Sequence, residues 1–221
     1  MANHTSTRFD TSLHHLQDLL MQMGKLTEQQ LTHISQYLQN SANESVLIDV
    51  QTLEEQVNDY QSAINKEAIS LIAMRAPVAG DLRLITACER IAIDLERIGD
   101  EISKVAHFMA RDEVDTNSKL WRELRPTMRL AQSILSDALN MLARLDIQAA
   151  QKIFQDDSLL DDNYSSVMRQ LLTYMLEDPR NITQSVDIMF AAKALERVGD
   201  HCMNIAEAIL YYATGDDLRH P

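Results

Sequence analysis

Apolar residues recur along this chain in alternating steps of four and three. One line runs Leu84, Cys88, Ile91, Leu95, Ile98, Ile102, Val105, Met109. Adding 100 to each number gives Gln184, Ile188, Ala191, Leu195, Val198, Cys202, Ile205, Ile209, nearly as apolar. A further line is Val46, Val50, Leu53, Val57, Tyr60, Ile64, then Leu71 and Met74. This spacing keeps one side of a helix apolar and lays it lengthwise along other helices.

The interruptions mark the helix ends. Ser41 with Glu44 forms a capping-box pattern, in which each side chain satisfies a free backbone N–H of the other. Ala76–Pro77 stops a helix, because the residue before proline is pushed out of the α region. Asn117 or Ser118 can cap a fourth helix, and Pro126 either kinks it or marks its start. Asp146 caps a fifth, and Asp178 followed by Pro179 opens a sixth. Gly215 sits where the sixth should end. Six helices are predicted, at roughly 8–39, 42–75, 79–112, 118–144, 147–177 and 180–213. The polar stretch at 111–119 is the midpoint. The expected fold is all-α: two tandem antiparallel three-helix bundles, residues 1–114 and 115–221, related by internal duplication about a pseudo-twofold.

Composition narrows the function classes. Among 221 residues, Lys and Arg number 20 and Asp and Glu 33, a formal charge of −13. That balance repels phosphate backbones and anionic lipids, and suits cations or basic patches on proteins. Two distant cysteines, Cys88 and Cys202, give no disulfide framework and fit a reducing compartment. They lie on the apolar lines and read as core thiols. The first fifteen residues lack the apolar stretch of a signal peptide, and no run is long enough to span a membrane. A cytoplasmic protein is expected.

The candidate chemistry lies in paired acids. An acid followed four residues later by Asp occurs at Glu55/Asp59, Glu96/Asp100, Asp157/Asp161 and Glu196/Asp200. Chance alone would give about three such pairs in a chain this acidic, so position matters more than spacing. Glu96/Asp100 and Glu196/Asp200 fall at the same place in the two halves, inside the repeated phrases LERIGD and LERVGD. Residues four apart share a helix face. Two such pairs on facing helices bring four carboxylates together, a donor set for Mg²⁺, Mn²⁺ or iron. The plainer reading is a solvated acidic face with Arg97 and Arg197 as local partners. Gly99 and Gly199 lower helix propensity at the same turn in both halves, which points to crowding there.

In the first half's second helix the core fixes which acid faces inward. Val57, Ile64 and Leu71 match Leu160, Val167 and Tyr174 at an offset of 103. Asp157 and Asp161 then correspond to Glu54 and Asn58, not to Glu55 and Asp59. Asn58 offers only a neutral carbonyl, so the first cluster should hold a cation less tightly than the second. His201 adjoins Asp200 but points about 100° away around the helix. Trp121 is isolated in the sequence and gives no further reading.

Residues 75–106, RAPVAGDLRLITACERIAIDLERIGDEISKVA, together with RQLLTYMLEDPRNITQSVDIMFAAKALERVGDHCMNIAEAILYYATG at 169–215, resemble the two halves of the PhoU family of phosphate-transport accessory proteins. The resemblance runs almost the whole chain. It implies two three-helix bundles and a cytoplasmic negative regulator of the phosphate-starvation response. It also implies partners, namely the ATPase of the phosphate ABC transporter and a membrane sensor histidine kinase, and a homodimer. Metals, including iron clusters, bind the family's acid–x–x–x–Asp motifs. Those map onto Glu96/Asp100, Glu196/Asp200 and Asp157/Asp161, with Glu54/Asn58 departing from the carboxylate pattern.

Two rival classes remain. A ferritin-type di-iron enzyme needs Glu-x-x-His pairs, and none of the seven histidines has Glu three positions before it. No phosphate-cradling glycine loop and no nucleophile–base pair is present either. The stronger rival is a helical adaptor that works without metal.

Overall fold

The computed structural model describes residues 2–39, 45–77, 79–111 and 118–215. These residues form seven α-helices and two short 3₁₀ turns, with no strand among them. The helices are α1 (Ala2–Gln39), α2 (Ser45–Arg75), α3 (Ala79–Met109), α4 (Lys119–Arg122), α5 (Arg125–Arg144), α6 (Ala150–Glu177) and α7 (Ile182–Thr214). Helices α1, α2 and α3 pack on one another as one antiparallel bundle, and α5, α6 and α7 as a second. The duplicated fold expected from the sequence is therefore the one observed.

The two bundles are fused along their third helices. Helix α3 against α7 is the most extensive helix pair in the molecule, and α1 also meets α5. One continuous apolar core results, because α3 and α7 bury side chains in two directions. Their matching lines Leu95, Ile98, Ile102, Val105 and Leu195, Val198, Cys202, Ile205 are all buried. Each fully buried aliphatic side chain contributes roughly 1.5–3 kcal/mol, which makes this seam the main hydrophobic support of the fold.

Several predicted boundaries shift for identifiable reasons. Helix α1 begins at Ala2 rather than near residue 8, since no Gly or Pro interrupts the chain before Gly24. The fourth predicted helix is broken: α4 ends at Arg122 and α5 starts at Arg125. Pro126 is the cause, because it has no N–H for the carbonyl four residues earlier and its ring occupies that space. Ser118 caps α4 through its hydroxyl, and Trp121, uninformative in sequence, is completely buried there. Asp146 and Asp178 do act as caps, but each caps a 3₁₀ turn, Ile147–Ala149 and Pro179–Asn181, before α6 and α7 begin. Gly215 closes α7 in the left-handed conformation. Helix α3 ends at Met109, and Arg111 is the last residue described before the connection. On α2, Val50, Val57, Ile64 and Leu71 are buried while Met74 is 70% exposed. A straight helix drifts away from a strict seven-residue pattern, so the end of that line turns to the surface. The capping box at Ser41 and Glu44 lies outside the described residues, as does the Val46 side chain.

Candidate functional site

The repeated glycines explain how the acids are placed. A Cβ at Gly199 would lie 2.5 Å from Asp157 Oδ1 and 2.6 Å from Leu160 Cδ2. A Cβ at Gly99 would lie 3.1 Å from Gln30 Oε1 and 3.5 Å from Val57 Cγ1. Each glycine lets α6 or α2 approach the third helix of its half. Val57 and Leu160 are thus structural equivalents, which is the 103-residue register read from the apolar line. Glu54 is half-buried in that register, whereas Glu55 and Asp59 are exposed.

In the second half, Asp157 of α6 faces Glu196 and Asp200 of α7. Asp157 is only 6% exposed. No hydrogen bond or ion pair from the described residues reaches its carboxylate. Burial, with added repulsion from Asp161, Asp200 and Glu196, pushes its pKa up to about 6. Asp161 is exposed at the edge of the cluster. Glu196 is engaged by the Lys193 ammonium in an ion pair, and Lys193 also lies 5.4 Å from the centre of the Tyr164 ring. The Glu196 hydrogen bond, helped by the fields of Glu196 and Asp200 and opposed by burial, holds the Lys193 pKa above its ordinary range.

The first half repeats the arrangement more loosely. Burial and the nearby Asp100 raise the Glu96 pKa, with Glu54 adding to the effect and Arg97 and His201 opposing it. Asn58 is exposed. The position matching Lys193 is Ile93. Behind this cluster, Gln30 is completely buried. Its Nε2 donates to the Val50 carbonyl at 3.3 Å, and its Oε1, beside Gly99, has no partner.

Among the described residues no three acid, His or Cys side chains stand close enough to share one ion as they are arranged. The donor chemistry of the second cluster nevertheless fits a hard divalent cation or iron. It offers only carboxylate oxygens, and one of them is buried without a partner in a recess that a Cβ at residue 199 would fill. Asp157, Asp161, Glu196 and Asp200 are the residues that would hold such an ion. A bound cation would neutralise their mutual repulsion.

The repeated phrases also do something the sequence did not announce: they join the halves. Arg197 Nη1 donates to Glu101 Oε1 across the α3–α7 seam at 3.1 Å, and Lys104 Nζ reaches the same oxygen at 2.8 Å. Glu101 is 6% exposed and is the buried centre of that network. His201 Nδ1 lies 2.9 Å from Asp94 Oδ1, and Asn204 Nδ2 donates to the same atom at 3.1 Å. Arg111 pairs with the buried Asp187 further along the seam. Arg197 is therefore not the local partner of the Glu196/Asp200 pair, and His201 turns toward α3. Glu101 carried a signal in retrospect, since it lies three residues after Ile98 and four before Val105 on the buried face. A groove of about 380 Å³ opens beside this network, with Arg97, Asp100 and Asp200 among its walls. Both cysteines are buried free thiols, as the apolar lines indicated. Burial pushes the Cys88 thiol up to about 12 and raises Cys202 as well. Neither is chemically poised.

Comparison with known proteins reaches the whole chain. The PhoU domain family matches residues 20–109 and again residues 124–209. The phosphate-specific transport system accessory protein PhoU homolog of Pseudomonas aeruginosa is 36% identical over 221 residues, covering 100% of this chain and 91% of that protein. The crystal structure of PhoU from Pseudomonas aeruginosa superposes with a TM-score of 0.87 at 34% identity, over 94% of this chain and 100% of that one. The phosphate transport system regulatory protein PhoU from Streptococcus pneumoniae gives 0.85 at 25% identity, over 95% and 99%.

Proposed function

The chain belongs to the PhoU family, and from that we propose that it is a cytoplasmic negative regulator of phosphate uptake and of the phosphate-starvation response. The observation that carries this reading is the full-length match to phosphate-transport accessory proteins, with the domain present twice. No described helix is long and apolar enough to cross a membrane. The fold offers long helical faces and a net charge of −13, suited to protein partners with basic patches. The partners in this reading are the transporter ATPase and the sensor histidine kinase. Binding holds the kinase silent while phosphate is plentiful. The two repeat units act as one body in this reading, since α3 packs against α7. Catalysis has no part in this reading.

The direct test is a starvation-promoter reporter in a deletion strain grown at high phosphate. It should switch on, with excess phosphate uptake. A reporter that stays off and responds normally when phosphate is withdrawn refutes the assignment.

Metal is the second component of the proposal. Asp157, Asp161, Glu196 and Asp200 take Mg²⁺, Mn²⁺ or iron, and Glu96, Asp100, Glu54 and Asn58 form the weaker site. The unpartnered, buried Asp157 supports this. The metal-free adaptor is favoured by two observations: Lys193 already engages Glu196, and among the described residues no three donor side chains stand close enough to share one ion. Elemental analysis and Mn²⁺ calorimetry decide between them. Binding should fall away in the double variant Glu196→Ala, Asp200→Ala, and equal binding by both proteins rejects the metal site.

A further inference from the structure

Resting on the metal reading of the second cluster, we infer that Lys193 is a tethered counter-cation of that cluster, seated on Glu196 when no metal is bound and displaced when a divalent cation enters. Three observations lead there. The first is position: Lys193 stands one turn before Glu196, and its ammonium is ion-paired to that carboxylate. The second is need. Asp157 is buried and has no donor from the described residues, while the half-buried Glu196 and the exposed Asp200 add negative charge beside it. One fixed cation at the rim lowers that repulsion without reaching the buried carboxylate.

The third observation is the internal comparison. The first half carries the equivalent glycine and the equivalent Glu96/Asp100 pair, but Ile93 stands where Lys193 does. Its cluster has a neutral Asn58 in place of Asp161 and so less charge to balance. The lysine thus accompanies the more acidic of the two clusters, while in the first the fields of Arg97 and His201 act on Glu96.

A tethered ammonium and a free cation compete for the same carboxylate. A lysine satisfies one oxygen with a single point charge on a flexible stem. A divalent ion gathers several oxygens at once. Entry of the ion therefore releases the Lys193 side chain, 44% exposed as it stands, toward solvent. Metal occupancy is then visible at the protein surface as one freed positive charge.

The test uses the full-length protein, Mn²⁺ alone as the probe, and two variants. Lys193→Ile installs the residue of the first half, and Lys193→Arg keeps the charge. In chelator, Lys193→Ile should melt below wild type because the cluster has lost its counter-ion. In Mn²⁺ titration the same variant should bind about 2- to 5-fold more tightly, the scale of one removed, partly exposed charge competitor. Lys193→Arg should stay within about twofold of wild type in both measurements. A merely structural lysine would weaken binding and stability together, so opposite signs identify the competitor. The inference is overturned if Lys193→Ile binds Mn²⁺ no more tightly than wild type while the Glu196→Ala, Asp200→Ala protein has lost binding. It is also overturned if Lys193→Ile is as stable as wild type in chelator. Equal Mn²⁺ binding by wild type and the cluster double variant is a different result, which removes the metal reading itself and the competition with it.

Discussion

Replacing Gly199 with alanine isolates the close approach of α6 and α7. Alanine gains about 1 kcal/mol of helix propensity over glycine. Against this, the new methyl would sit 2.5 Å from Asp157 Oδ1 and 2.6 Å from Leu160 Cδ2. Ordinary contacts between such atoms are about 3.5–4.0 Å, so both neighbours must move by about an ångström. Leu160 is completely buried and Asp157 nearly so, which leaves little room to retreat. Overpacking of this kind typically costs about 1–3 kcal/mol even after partial relief. Two full-size overlaps place Gly199→Ala at the upper end of that range. The net loss is then about 1–2 kcal/mol, or a fall in Tm of about 3–6 °C for a chain of this size. Two controls lie within the same protein. At Gly99 the nearest atom is the Gln30 amide oxygen at 3.1 Å, at the end of a longer side chain, so Gly99→Ala should be near neutral. At Gly80 nothing lies within 4 Å, and Gly80→Ala should be stabilising by up to about 1 kcal/mol. Urea titration and calorimetry on all three, in chelator, give the ranking. If Gly199→Ala matches Gly99→Ala or exceeds wild type, crowding is not the reason for the glycine.

Two further outcomes follow from the site and the family. Asp157→Asn should stabilise the protein in chelator at pH 7 by about 1–3 kcal/mol, because the folded-state pKa of Asp157 is raised from 3.8 to about 6. A raised carboxyl pKa means the folded protein holds the proton more tightly. The advantage of Asn should therefore be absent below about pH 4, grow between about pH 4 and 6, and stay level above that. Identical pH–stability curves for the two proteins would discard the buried, unpartnered carboxylate. We also expect a homodimer, and sedimentation equilibrium at micromolar concentration should give twice the 25.1 kDa chain mass, a monomer being the refuting result.

Much of the architecture was legible in the sequence because a long helix advertises its buried face locally. The four–three spacing of Leu95, Ile98, Ile102 and Val105, repeated 100 residues later, fixed helix type and duplication without any tertiary information. The same logic chose Glu54 over Glu55, since a residue's face is set once its apolar neighbours are assigned. The break before α5 was less clear, because proline is compatible with either a kink or a start. Here it fell two residues after the buried Trp121, a side chain whose surroundings come from helices remote in sequence.

What only the tertiary structure decided is which polar groups meet across α3 and α7. Arg197 and Glu101 are 96 residues apart, and Asp94 and His201 are 107 apart. Local spacing assigned Arg197 to the acids of its own helix, and the packed seam assigned it to the other half. The reason is geometric. Periodicity determines the rotation of each helix about its own axis, but ion pairing also depends on which helix lies opposite and how far it is displaced along that axis. Both are set by how the buried faces of α3 and α7, Leu95 to Val105 and Leu195 to Ile205, pack within the common core.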